Sequence, residues 1–205
     1  MGENRDKITT INQLLECGLE LFGKYGYNSV TTKQISEYSG LNSALISYYF
    51  GGKAQYYLEV VSYVSDLMVN WFDDIKIDSL DDKTVGELED LIKAVVDKFY
   101  TWFTSARGVS STNLFFQELI TGTCTNVKTR FKPAVESLRS YFIDLFRIYY
   151  QKTNREHVNP IFVWALLISI NQNISLHSSA TEEVRATLVN AEIPKNMLNL
   201  ILNMP

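Results

Sequence analysis

Hydrophobic positions recur every three to four residues along most of the chain. From Asp6 to about Tyr25, the residues Ile8, Ile11, Leu14, Leu15, Leu19 and Phe22 fall on one face. That spacing predicts an amphipathic helix with this face inward, ended by Gly23 and Gly26. Leu58, Val61, Val64, Met68, Trp71 and Ile75 share a second face, and Val85, Leu88, Leu91, Ile92, Val95, Phe99, Trp102 and Phe103 a third. Val135, Leu138, Phe142, Leu145 and Tyr149 make a fourth. The stretch 161–170 is apolar on nearly all sides, so the helix opened by Pro160 is predicted to be covered on two faces. No period-two alternation of useful length occurs. The pattern predicts an all-α protein.

Glycine and proline divide the chain into short helices first and long ones afterwards. Seven of the ten glycines lie in the first 52 residues, and the first of the four prolines is Pro133. Thr31 is placed to cap a short helix that stops at Gly40, a residue suited to a left-handed turn. Leu41 returns to the core, and Asn42 or Ser43 caps a second short helix reaching about Tyr49. Two short helices joined by a three- to four-residue, glycine-containing turn form a helix-turn-helix pattern. Further on, Asp78 to Lys83 reads as a loop with Thr84 as the next cap, and Ser105 to Ser111, containing Gly108, as a second break. Pro133 marks a kink or a new start in a helix from about Asn126 to Lys152.

The residues Phe22, Gly26 to Thr32, Ile35, Ser39-Gly40-Leu41 and Tyr48-Tyr49-Phe50-Gly51-Gly52-Lys53 resemble the DNA-binding domain of TetR-type transcriptional regulators. The resemblance covers about residues 6 to 60 with its spacing kept. Two departures stand out. The common Tyr-Tyr-His-Phe run reads Ser47-Tyr48-Tyr49-Phe50, and Gly51-Gly52 replaces the common Pro-Ser.

The resemblance implies an N-terminal three-helix helix-turn-helix DNA-binding domain over residues 1–53. A larger helical ligand-binding and dimerisation domain over 54–205 is expected to follow. In such a fold the second short helix enters the major groove of double-stranded DNA. Asn42, Ser43, Ala44 and Ser47 are then groove-side candidates, with Ala44 able to touch a thymine methyl. Thr32 and Tyr48 can donate hydroxyls to phosphates, Lys53 can contact a phosphate, and Tyr49 takes the usual histidine place. Lys33 matches a position that often reaches a base. Core packing is the alternative role for Tyr48 and Tyr49, and plain solvation the alternative for Lys33.

The family pairs its last long helices with their twofold mates, here those around 132–152 and 160–178, giving a homodimer on a palindromic operator. Coverage of the second by the segments 182–190 and 194–202 is the monomeric alternative. The family also encloses a small-molecule inducer between its middle helices. Trp71, Phe99, Trp102, Phe103 and Phe116 are candidate lining, with Glu118, Asn171 and His177 as polar contacts. Each aromatic has core packing as its alternative role. The implied function is a sequence-specific regulator, most often a repressor, released by a largely apolar inducer. The alternative is a helical small-molecule carrier or enzyme that keeps the helix-turn-helix as scaffold.

Composition limits these readings. An apolar share of 46% and a charged share of 20% argue against general disorder. The net charge of −4 argues against a broadly basic, non-specific nucleic-acid or membrane-surface binder. Within residues 1–53, five basic residues (Arg5, Lys7, Lys24, Lys33, Lys53) balance five acidic ones (Glu3, Asp6, Glu16, Glu20, Glu37). Specific binding is therefore expected to rest on few cations. The polar N-terminus predicts no secretory leader, and the eight-residue apolar run 161–168 is far short of the ~20 needed to cross a bilayer. Cys17 and Cys124 form no CxxC, which fits a reducing compartment and a cytoplasmic protein. His157 and His177 have no metal spacing, no nucleotide-binding or catalytic signature occurs, and no cofactor is expected.

Overall fold

The computed structural model describes residues 2–121, 127–178 and 192–204, with side chains for 6–118, 131–133, 135–175 and 192–204. The described residues form helices and loops with no strand. The helices are α1 (Gly2–Tyr25), α2 (Thr32–Ser39), α3 (Ala44–Phe50), α4 (Lys53–Asp73), α5 (Val85–Thr104), α6 (Ala106–Thr121), α7 (Val127–Lys152), α8 (Pro160–Ser178) and α9 (Glu192–Leu202). The all-α expectation holds. Cys124 and the segment 182–190 lie outside the described residues, as does the side chain of His177.

The chain folds into two compact units, each built from non-adjacent stretches. The first comprises Met1–Met68 with Ser110–Ala134, and the second Val69–Val109 with Val135–Pro205. The helices α4, α6 and α7 each contribute residues to both units. These units cut the chain differently from the division expected between residues 53 and 54.

The first unit is built on the inward face of α1. Leu14, Leu19 and Phe22 are buried there with Ile35 of α2, Ile46 and Phe50 of α3, and Tyr56, Tyr57, Val60 and Val61 of α4. Ile8, expected on the same face, is instead 54% exposed, whereas Ile11 and Leu15 are partly buried. The tyrosine hydroxyls in this core have partners, as buried polar groups require. Tyr56 donates to the Leu14 carbonyl at 2.5 Å, and Tyr57 donates to the carboxylate of buried Glu118 on α6. At Gly23 the backbone of α1 approaches that of α6 closely. A Cβ there would sit 2.5 Å from the Ser110 carbonyl oxygen, so the contact exists because residue 23 has no side chain.

The second unit has an aromatic interior. Phe72 and Phe99 lie 4.5 Å apart, and both meet Phe142 edge-on at 5.7 and 5.3 Å. Trp164 of α8 stands edge-on to Phe99 and stacks on Phe142. Helix α5 packs against α8 and α9. Thr84 caps α5 as expected, in a reciprocal box with Glu87.

One predicted break comes out differently, and at Pro133 one of two readings falls. The break at 105–111 shrinks to Ser105 alone, because the Ser105 hydroxyl takes the Gly108 N–H at 3.0 Å and α6 starts at Ala106. Pro133 starts no new helix but lies within α7, whose span Val127–Lys152 agrees with the expected one. The α1–α6 contact gives a test. Gly23→Ala is expected to lower unfolding free energy by about 1–3 kcal/mol through overpacking against backbone, measured by denaturant unfolding. Unchanged stability would show that this approach is loose.

Candidate nucleic-acid interface

Helices α2 and α3 are short, and both depend on specific ends. Thr31 opens α2: its hydroxyl accepts from Gln34 N at 3.2 Å while the Gln34 side chain accepts from Thr31 N at 2.8 Å. Gly40 closes α2 at φ 69°, in the left-handed region. The turn is then laced to its neighbours. Ser36 donates to the Leu41 carbonyl at 2.5 Å, Leu41 N donates to the Ser39 hydroxyl at 3.2 Å, and Gln13 of α1 donates to the Ser39 carbonyl at 2.9 Å.

Asn42, rather than Ser43, carries the cap of α3. Its side-chain oxygen accepts from Ala44 N at 2.9 Å, whereas Ser43 is already in helical conformation and makes no side-chain cap. Gly51 and Gly52 end the helix at φ 75° and 134°. Both positive φ values suit glycine and would strain any other residue.

The burial of Ile46 and Phe50 fixes which way α3 faces. Ala44, Ser47 and Tyr48, spaced three and four residues apart, form its exposed side, with Tyr48 77% exposed. Asn42 and Ser43 are exposed just ahead of them. On α2, Thr32 is half-buried and the Lys33 side chain is 85% exposed, 3.7 Å from Glu37. Tyr49 is half-buried, its ring 4.9 Å from that of Tyr48, with the Lys7 ammonium 5.9 Å from its centroid. Lys53 is half-buried at the start of α4, 4.3 Å above the Tyr27 ring, and burial lowers its pKa from the ordinary value.

All nine residues nominated for DNA contact thus lie on α2, α3, their connection and the first residue of α4, within the first unit. Tyr49 and Lys53 are partly engaged in ring contacts, whereas Lys33, Asn42, Ser43, Ala44, Ser47 and Tyr48 face solvent. Sequence reasoning missed Lys7, because nothing in a linear pattern joins it to Tyr49 forty-two positions later.

The residues nominated for a ligand divide between the units. Trp71, Phe99, Trp102, Phe103 and Asn171 belong to the second; Phe116 and Glu118 belong to the first. Phe99, Trp102 and Phe103 are buried, and Trp71 lies 5.6 Å from Trp102 with its indole N–H on the Lys98 carbonyl. Asn171 is fully buried; its amide donates to the Leu167 carbonyl, and its side-chain oxygen has no hydrogen-bond partner. Glu118 lines a cavity of about 250 Å³ in the first unit, together with Tyr25, Gly26, Tyr27, Asn28, Ser29 and Gln117. Among the described residues, no group of three or more His, Cys, Asp and Glu side chains is arranged to hold a metal. No helix there is long and apolar enough to cross a membrane.

This geometry defines a helix-turn-helix head of the DNA-binding class. Residues 14–60 match the family described as bacterial regulatory proteins, tetR family. The similarity to TetR-type transcriptional regulators is thus carried by this N-terminal segment. The HTH-type transcriptional dual regulator CecR of Shigella flexneri is 40% identical over 60 residues, a match spanning 29% of this chain and 26% of that protein. Solved structures extend the similarity of fold to nearly the whole chain. A putative transcriptional regulator from Saccharomonospora viridis, in complex with choline, superposes with a TM-score of 0.70 at 14% identity, over 96% of this chain and 97% of that one. A TetR/AcrR-family regulator from Thermobifida fusca gives 0.62 at 17% identity, over 96% and 98%.

The cap of α3 is directly testable. Asn42→Ala is expected to cost about 1 kcal/mol of stability in denaturant unfolding, and Asn42→Ser to retain most of it. An Asn42→Ala protein as stable as wild type would move the capping role away from this side chain.

Proposed function

We propose that the chain is a homodimeric, ligand-responsive repressor that binds a palindromic operator through α3 and is released by a small, largely apolar inducer. The observation that carries the DNA-binding part is the exposed face of Ala44, Ser47 and Tyr48 on a helix held rigidly by Ile46 and Phe50. Lys33 and Lys53 supply cations near it, and Thr32, Tyr48 and Tyr49 supply hydroxyls suited to phosphates. Residues 1–53 then act as the DNA-binding domain and 54–205 as the ligand-binding and dimerisation domain, in a protein working in the cytoplasm.

Dimerisation through the helices around 132–152 and 160–178 is supported by α8. Val163 and Leu167 are buried, yet Ile161 and Phe162 are 58% and 61% exposed. Large apolar side chains left on such a face favour a second copy of the chain as their cover. Two α3 helices about 34–36 Å apart would read successive major grooves.

For the inducer, the aromatic residues Trp71, Phe99, Trp102 and Phe103 offer apolar contact, and the unpartnered oxygen of Asn171 offers an acceptor. Phe116, Glu118 and His177 remain proposed contacts. That a neighbour of the same fold holds choline supports a small-molecule role for this architecture. The inducer must favour the state unable to bind operator, by about 1–3 kcal/mol for useful coupling.

Electrophoretic mobility shift against the DNA flanking the gene tests the proposal. Wild type is expected to give a sequence-specific complex. Lys33→Ala and Tyr48→Ala are each expected to weaken it about tenfold or more while the dimer persists in size-exclusion chromatography. Absence of specific binding overturns the reading, and undiminished binding by both variants overturns the assignment of these two residues.

A further inference from the structure

We propose that each operator half-site is built on A·T pairs, read chiefly through thymine methyl groups by Ala44 and Tyr48, with one guanine facing Lys33. The inference rests on the reading of the chain as a sequence-specific DNA-binding protein.

It starts from what α3 does not carry. Ala44–Phe50 reads ALISYYF, without an arginine, lysine, aspartate, glutamate, asparagine, glutamine or histidine. Guanine presents two acceptors in the major groove and is read best by a guanidinium or ammonium; cytosine presents a donor and is read by a carboxylate. Helix α3 has neither. A G·C pair placed against it would therefore lose water from its polar edge and gain no charged partner in exchange.

The amide readers beside α3 are already occupied: on α2 the Gln34 side-chain oxygen accepts from Thr31 N at 2.8 Å. A bidentate grip on adenine needs both the oxygen and the nitrogen of an asparagine or glutamine side chain. The Asn42 oxygen accepts from Ala44 N at 2.9 Å, so capping uses the atom that the adenine amino group would need. The Asn42 amide nitrogen can still donate singly, to a base N7 or a phosphate. The hydroxyls of Ser43 and Ser47 donate or accept equally well and discriminate little.

What α3 presents instead is apolar. The Ala44 methyl and the Tyr48 ring lie on the same exposed side, one helical turn apart. The C5-methyl of thymine is the one apolar group on the major-groove edges of the four bases, so such a surface selects thymine. Lys33 differs from every residue of α3. Its ammonium is a pure donor on an exposed side chain, and its 3.7 Å pairing with Glu37, also exposed, is weak enough to exchange for a guanine O6 and N7.

The test has two stages on the full-length protein. Selection from a pool of randomised duplexes is expected to enrich half-sites dominated by A·T pairs, with one guanine whose preference disappears in Lys33→Ala. Each thymine of the selected site is then replaced by deoxyuridine, which removes the methyl group and nothing else. At one or two thymines per half-site, affinity is expected to fall about fourfold, the effect of losing one buried methyl. Ala44→Gly is expected to abolish the deoxyuridine effect at one of these positions, with circular dichroism confirming that the helices persist. Enrichment of G·C-rich half-sites, or deoxyuridine substitution silent throughout, overturns the inference while leaving specific DNA binding intact. A pool from which nothing is enriched overturns the functional reading itself.

Discussion

A helix of seven residues has too few internal hydrogen bonds to persist alone in water. Helix α3 exists because Ile46 and Phe50 are driven into the core made by α1 and α4, and because Asn42 and Gly51 finish its two ends. The same burial fixes its rotation. With Ile46 and Phe50 inward, Ala44, Ser47 and Tyr48 have no choice but to face solvent. The proposed chemistry of recognition thus follows from a packing constraint on the opposite side of one short helix. Tyr56 reinforces that constraint: its ring lies 5.0 Å from Phe50, and its hydroxyl is tied to the backbone of α1.

Local rules made much of the head legible in the sequence. Thr31 and Thr84 were readable as caps because each is followed three residues later by a side chain that completes the box. Gly40 was readable because a short amphipathic pattern stops there. Periodicity also gave the buried faces of α5 and α7, but on α4 only Val61 and Val64 of the predicted face are buried, beside Tyr56, Tyr57, Val60 and Phe72. What escaped was tertiary. Ile8 shares the periodic face of Leu14, yet it is 54% exposed where Leu14 is buried. Gly108 read as a breaker, yet an added Cβ there would fall 1.7 Å from the Trp102 carbonyl oxygen, so the residue serves a close approach between α6 and the last turn of α5. The division of the ligand candidates between two units was equally invisible, because aromatic residues look the same in either core.

The head is electrically balanced, and its cations are unequal. The Lys33 side chain is 85% exposed beside Glu37, while Lys53 leans on the Tyr27 ring and is partly desolvated. An arrangement with so few free positive charges gives little sequence-independent affinity. Discrimination must then come chiefly from shape and apolar contact, which are short-ranged and indifferent to ionic strength in a way that charge is not. Such a protein would spend little time on unrelated DNA, and a low cellular copy number would suffice to find its site occupied.

The first compact unit has one more implication, for modularity. It is assembled from residues 1–68 and 110–134, joined where Gly23 lets two backbones meet and where Tyr57 reaches Glu118. A chimera that exchanged the N-terminal fifty residues as a linear cassette would bring a foreign α1 to an unchanged α6 and lose that joint. Retargeting would be gentler if confined to the surface positions of α2, α3 and their connection, which contribute nothing to it. The part of the head free to vary without disturbing that joint is therefore a handful of side chains, not a detachable domain.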